Sequence, residues 1–107
     1  MNLEIYDIDN KAFKYYQDYS KRGKDCDLDT AKKRFTALIL NACKTKDLGL
    51  GSIIYKFGDF NLVVKYGEKK VSWIYWGNRE KVTKEHQESL KETYVKLGLT
   101  TEGNPIQ

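Results

Sequence analysis

Between Ser52 and Asn78 the side chains alternate with a period of two, in a composition rich in aromatic and β-branched residues. Ile53, Tyr55 and Phe57 alternate with Ile54 and Lys56. Phe60, Leu62, Val64 and Tyr66 alternate with Asn61, Val63 and Lys65. Val71, Trp73 and Tyr75 alternate with Ser72, Ile74 and Trp76. This pattern predicts three strands, and the turns Gly58-Asp59 and Gly67-Glu68-Lys69-Lys70 join them into an antiparallel meander. Only one face of a meander packs on helices. Phe57, Phe60, Leu62, Val64, Trp73 and Tyr75 are the candidates for it. Trp73 and Trp76 have opposite parity, so one indole is expected to face outward.

The rest of the chain reads mainly as helices. Leu3 to Ile8 is a short strand or an ordered lead-in. Asp9 is a good N-cap for a helix from Asn10 to Arg22 with the stripe Ala12, Phe13, Tyr16 and Tyr19, ended by Gly23. Gly23 to Asp29 is a polar loop. Asp29 or Asp27 caps a second helix to about Lys44, whose apolar face is Ala31, Phe35, Leu38, Ile39, Ala42 and Cys43. Leu48-Gly49-Leu50-Gly51 reads as a flexible link. Thr83 caps a third helix to Leu97 with His86, Leu90, Tyr94 and Leu97 on one face. Residues 1–99 then form one α+β domain, and 100–107, with the only proline, a disordered tail.

With 107 residues, 40% hydrophobic and 32% charged, the chain can bury a modest core. Its longest apolar run, Ala37 to Leu40, is far too short to span a membrane. The start, Met1-Asn2-Leu3-Glu4, lacks a secretion pattern, so a cytoplasmic location is expected. The net charge of +4 is spread evenly, with 10 basic and 8 acidic residues up to position 50 and 9 and 7 beyond it. Any positive face must therefore arise by folding. Lysine outnumbers arginine 16 to 3, which argues against a site built from many bidentate guanidinium forks.

The chemistry on offer is sparse. Cys26, in the polar loop, reads as an exposed thiol, and Cys43 as a small core residue on the second helix. Two cysteines and one histidine make no standard zinc site. No nucleophile elbow, phosphate loop or dinucleotide fingerprint occurs, so no cofactor and no small-molecule substrate are expected. Asp25, Asp27 and Asp29 lack the rest of a cation loop and read as helix caps. An exposed aromatic beside Lys56, Lys65, Lys69, Lys70 and Arg79 suits stacking on bases and neutralising phosphates. The competing readings are a lysine-guarded edge sheet and a protein interface.

From Asp29 to Gly77, helices followed by a long basic hairpin resemble a winged-helix DNA-binding domain. The elements read above give the order (β)-α-α-β-β-β-α for a small winged-helix-like domain, and the resemblance implies double-stranded DNA as partner. Because the helix around Phe35 to Cys43 is apolar, Lys65, Lys69 and Lys70 in the wing would make most contacts. Lys56 and Arg79 would flank them, and Lys32 and Lys33 would add contacts from the second helix. The third helix, near Leu90, Tyr94 and Leu97, would serve packing or homodimerisation. Such a protein would be an accessory or regulatory factor of a plasmid, phage or other mobile element.

A second resemblance runs through Phe60 to Lys65, Val71 to Trp76 and Gly77-Asn78-Arg79-Glu80-Lys81. These look like the final strands and basic exit of RelE-type ribonuclease toxins, whose order is a strand, two helices, then three or four strands. The resemblance implies RNA cleavage, with Arg79, Lys81 and His86 as candidate catalytic groups. The chain departs from that family in continuing into a full C-terminal helix.

Overall fold

The computed structural model describes residues 4–106. Leu3, part of the expected lead-in strand, and Gln107, at the end of the expected tail, lie outside the described residues. The strands are β1 (Asp7–Ile8), β2 (Lys44–Gly49), β3 (Ser52–Phe57), β4 (Phe60–Lys65) and β5 (Lys70–Trp76). The helices are α1 (Asn10–Tyr19), α2 (Leu28–Leu40) and α3 (Lys84–Lys96). All strands join one sheet of order β1-β5-β4-β3-β2, in which β1 runs parallel to β5 and the other pairs are antiparallel. The described residues thus form a mixed α+β fold with three α-helices and a five-stranded sheet. Its Cα radius of gyration, 12.9 Å, is the ~13 Å of one compact domain this long.

The helix starts follow from the caps. The Asp9 carboxylate accepts from the Lys11 N–H at 2.9 Å, and Asp27 rather than Asp29 accepts from the Thr30 N–H at 2.8 Å. Thr83 and His86 form a reciprocal cap on α3. The helix ends differ from expectation. α1 stops at Tyr19 instead of Arg22, and the chain folds back so that Gly23 lies against the Tyr16 backbone. A β-carbon at Gly23 would lie 2.2 Å from the Tyr16 carbonyl oxygen, so close approach, not helix termination, is what demands glycine there.

α2 stops at Leu40 rather than near Lys44. The Asn41 side chain donates to the Ala37 carbonyl at 2.8 Å, and the Cys43 N–H donates to Lys56 at 2.7 Å, opening β2. Lys44 to Gly49 is therefore a fourth strand of the meander, not a helix end followed by a flexible link. Gly49, Leu50 and Gly51 form its tight turn, all with positive φ. Cys43 is correspondingly half-buried after α2, not on its apolar face.

α1 packs on β5 and α2 on β3, so both cover one side of the sheet. Phe35, Leu62, Val64, Val71 and Ile74 are fully buried between these layers. Cys26 is also buried there rather than exposed, and burial pushes its thiol pKa up. α3 lies on α2, with Tyr94, Leu97 and Leu99 packed against Ala37. The apolar side of α3 is thereby used within the chain.

Thr100 to Ile106, expected to belong to a disordered tail, turns back through a Leu99–Pro105 bridge and a Thr100 N–H to Asn104 carbonyl bond of 2.8 Å. Arg34 holds it there. Its Nε donates to the Gly103 carbonyl at 2.6 Å and an Nη to Asn104 Oδ1 at 3.0 Å. The packed unit therefore runs past residue 99.

Candidate nucleic-acid interface

The strand register places three rows of side chains on the face away from the helices. Lys46, Ile54, Val63 and Trp73 form one row, and Lys44, Lys56, Asn61 and Tyr75 a second. Ser52, Lys65 and Lys70 form the third. Their neighbours in alternation, Leu62, Val64, Val71 and Ile74, pack with α1 and α2 in the core, which makes these rows the outer ones, although Asn61 and Ile54 within them are themselves buried.

A bulge sets the aromatics. Val63 pairs with Trp73 but Val64 pairs with Val71, leaving Ser72 without a partner residue. The Ser72 hydroxyl donates to the Val63 carbonyl at 3.2 Å at this point. The extra residue flips the parity of the rest of β5. Ile74 and Trp76 therefore turn to the helix side, and Trp73 and Tyr75, expected to fill the core face, turn outward. Trp73 is the outward indole.

The two-residue β1 covers only Lys70 and Val71, so β5 has a free edge from Trp73 onward. Tyr15 lies along it. Its ring stacks on Trp73 at 4.9 Å between centroids with 15° between planes, and also contacts Trp76 at 5.8 Å. A ring that reaches indoles on opposite faces of a strand must cross that strand's edge. Tyr19 extends the group at 4.6 Å from Tyr15 and is 71% exposed. Trp73 remains 42% exposed and Trp76 38% exposed. The helical stripe of α1 points to Tyr16 and Tyr19 and passes over Tyr15, which gains its partner only at the edge of β5.

The lysines divide into two groups. On the open face, Lys46, Lys56 and Lys70 have no ion-pair partner among the described residues. Lys44 meets Glu80 at 3.7 Å and Lys65 meets Glu68 at 3.9 Å, both in exposed pairs of little strength. Lys44 and Lys46 carry no signal as face residues until β2 is recognised as a strand. At the β4–β5 tip, Lys69 is bound by Glu4, whose hydrogen bond pushes the lysine pKa up. Lys32 pairs with Asp7 at 3.2 Å and Lys33 with Asp29 at 3.1 Å, both from α2 on the covered side of the sheet. The Ile8 N–H and, after it, Lys32 hold the Asp7 carboxyl below its usual range.

Arg79 and Lys81 are exposed in the segment between β5 and α3. His86 receives the Thr83 N–H on Nδ1 at 3.3 Å, so its ring is committed to the α3 cap. No hydrogen bond or ion pair joins these three among the described residues. Nor, among the described residues, do three His, Cys, Asp or Glu side chains gather as a metal site, and no helix is long and apolar enough to cross a membrane. No protein-family model, curated protein or solved structure matches this chain.

Proposed function

We propose that this protein binds nucleic acid on the open face of its sheet. The supporting observation is that Trp73, backed by Tyr15, shares a face with Lys46, Lys56, Lys65 and Lys70, of which only Lys65 meets a carboxylate among the described residues. Aromatic rings stack on any base, and ammonium groups along the strands neutralise phosphates. A stacking surface of this kind needs an unstacked base, so a single strand, or a melted or bulged end, is the preferred ligand.

Duplex DNA bound in winged-helix fashion is the other mode of the same proposal. It would use the β4–β5 tip, where Lys65 and Lys69 would first exchange Glu68 and Glu4 for phosphates. In either mode the chain would act without chemistry, as an accessory or regulatory factor.

A RelE-type ribonuclease is the second reading. It is favoured by one observation, the order strand, two helices, four strands. It would require Arg79 and Lys81 to converge on RNA with a histidine now engaged in a helix cap.

Anisotropy titrations with labelled single-stranded DNA, single-stranded RNA and duplex DNA at two salt concentrations test the proposal. Binding should weaken as salt rises, and Trp73→Ala should weaken single-strand binding by ~1–3 kcal/mol. Lys46→Glu with Lys56→Glu should do likewise while leaving the circular dichroism spectrum intact. Absence of binding at low salt, or indifference to both sets of changes, refutes the proposal. Shortened RNA that depends on Arg79 establishes the ribonuclease instead.

A further inference from the structure

On the covered side of the sheet, a cleft of about 330 Å³ opens between the end of α1, α2, α3 and the β3–β4 end of the sheet. Lys21, Arg22 and Arg34 line one part, Phe57, Phe60 and Trp76 another, and no carboxylate lines it. Two of the chain's three arginines thus meet at one place. Arg34 is only 6% exposed, yet every acceptor it uses is uncharged: the Gly103 and Arg22 carbonyls, Asn104 Oδ1 and the Tyr16 hydroxyl. A guanidinium stays charged at any pH of interest, and a buried charge without a counter-ion is costly. Asp25 and Asp27 border the same cations in the adjoining cleft, but on this side the three positive groups share their lining with an apolar, aromatic wall and no carboxylate.

The geometry points to this cleft as a binding site for one nucleoside phosphate. The phosphate group meets Lys21 and Arg22 at the mouth, above Arg34, and the base lies against Phe57, Phe60 and Trp76. Each half of the lining matches one half of such a ligand. An inorganic anion would leave the aromatic wall unused, and an uncharged aromatic would leave the cations unpaired. The volume lies at the low end for small-ligand pockets, about 300–1,000 Å³, which admits a single nucleotide and excludes an oligonucleotide lying lengthwise. The ligand is either a free mononucleotide or the phosphorylated terminal nucleotide of a strand. Neither the lysines of the open face nor Trp73 enters this site, so it stands apart from the binding proposed above.

Trp76 reports on the site directly. In Trp73→Phe protein it is the sole indole, and adenosine 5′-monophosphate should quench or shift its emission saturably. Inorganic phosphate and adenosine should each bind more weakly, and Lys21→Glu should weaken the nucleotide by about tenfold or more, the loss expected of one charge-assisted contact. If the mononucleotide is silent, the unsubstituted protein should bind a 5′-phosphorylated oligonucleotide more tightly than its 5′-hydroxyl form, again dependent on Lys21, which assigns the site to strand ends. No response to either probe overturns the inference. So does phosphate binding as well as the nucleotide, or a response that Lys21→Glu leaves unchanged. Oligonucleotide binding that is blind to the 5′ group would support the open face alone.

Discussion

Replacing Arg34 by methionine keeps the apolar stem and deletes all of its donors. Four bonds disappear, to Gly103 at 2.6 Å, Arg22 at 2.8 Å, Asn104 at 3.0 Å and Tyr16 at 3.2 Å. Charged hydrogen bonds are each worth roughly 1.5–3 kcal/mol net of water. Relief from desolvating the guanidinium returns several kcal/mol. The acceptors near the surface regain water, whereas those beneath the tail do not. A net loss of about 3–5 kcal/mol is expected, a large share of the roughly 5–15 kcal/mol that holds a domain this size. Guanidinium unfolding followed by circular dichroism measures it, and hydrogen exchange reads the tail separately. Amides of Thr100 and Gly103 should lose protection first, because Arg34 is what ties that turn to α2. Arg34→Lys should recover only part of the loss, since one ammonium cannot reach acceptors arranged around a planar fork. A methionine variant within about 1 kcal/mol of the parent, or tail amides that stay protected, would refute this role for Arg34.

Two further outcomes follow from local geometry. Gly23→Ala forces a β-carbon to within 2.2 Å of the Tyr16 carbonyl oxygen and should cost ~2–4 kcal/mol by displacing the loop that buries Cys26. An unchanged thermal midpoint would show that the loop moves freely. The carboxyls of Asp7 and Asp27 titrate below their ordinary value, Asp7 chiefly through the Ile8 N–H and Asp27 chiefly through Thr30. Their contribution to stability is complete above the unfolded pKa of about 3.9 and is lost as pH falls through the lower folded values. Urea midpoints should therefore drop from pH 5 to pH 2, and Asp7→Asn combined with Asp27→Asn should flatten that slope. A slope that survives both changes assigns the acid sensitivity elsewhere.

Elements whose determinants are local were legible residue by residue. Asp9 and Thr83 start helices because their side-chain oxygens reach the free N–H groups of the next turn, whatever lies around them. The alternation through Phe60, Leu62 and Val64 predicts its own buried face. The outward indole was foreseeable from parity, but not which one. A bulge at Ser72 adds one residue to one strand, and nothing in Val71 to Tyr75 announces it. Lys44 to Gly49 looks like a lysine-rich helix end because its pairing partner, β3, is supplied from later in the chain.

The candidate sites divide in the same way. Lys56, Lys65 and Lys70 stood out as part of a basic meander, and they do share one face. Lys69, Lys32 and Lys33 stood out equally, yet each meets a carboxylate, two of them from the distant Glu4 and Asp7. By pattern Arg34 belongs to the basic outer surface of the second helix and Arg22 to the end of the first, whereas folding buries Arg34 and brings both to one cleft. Caps and alternation act over a few residues, so the starts of the helices and the apolar side chains of β3 to β5 are written in the chain. Which charges remain unpaired and which aromatics stay open is settled by folding alone. Those depend on segments far apart in the chain, such as α2 and the C-terminal turn that meet at Arg34. Charge and exposure are properties of neighbourhoods in space, and the neighbours are chosen by folding.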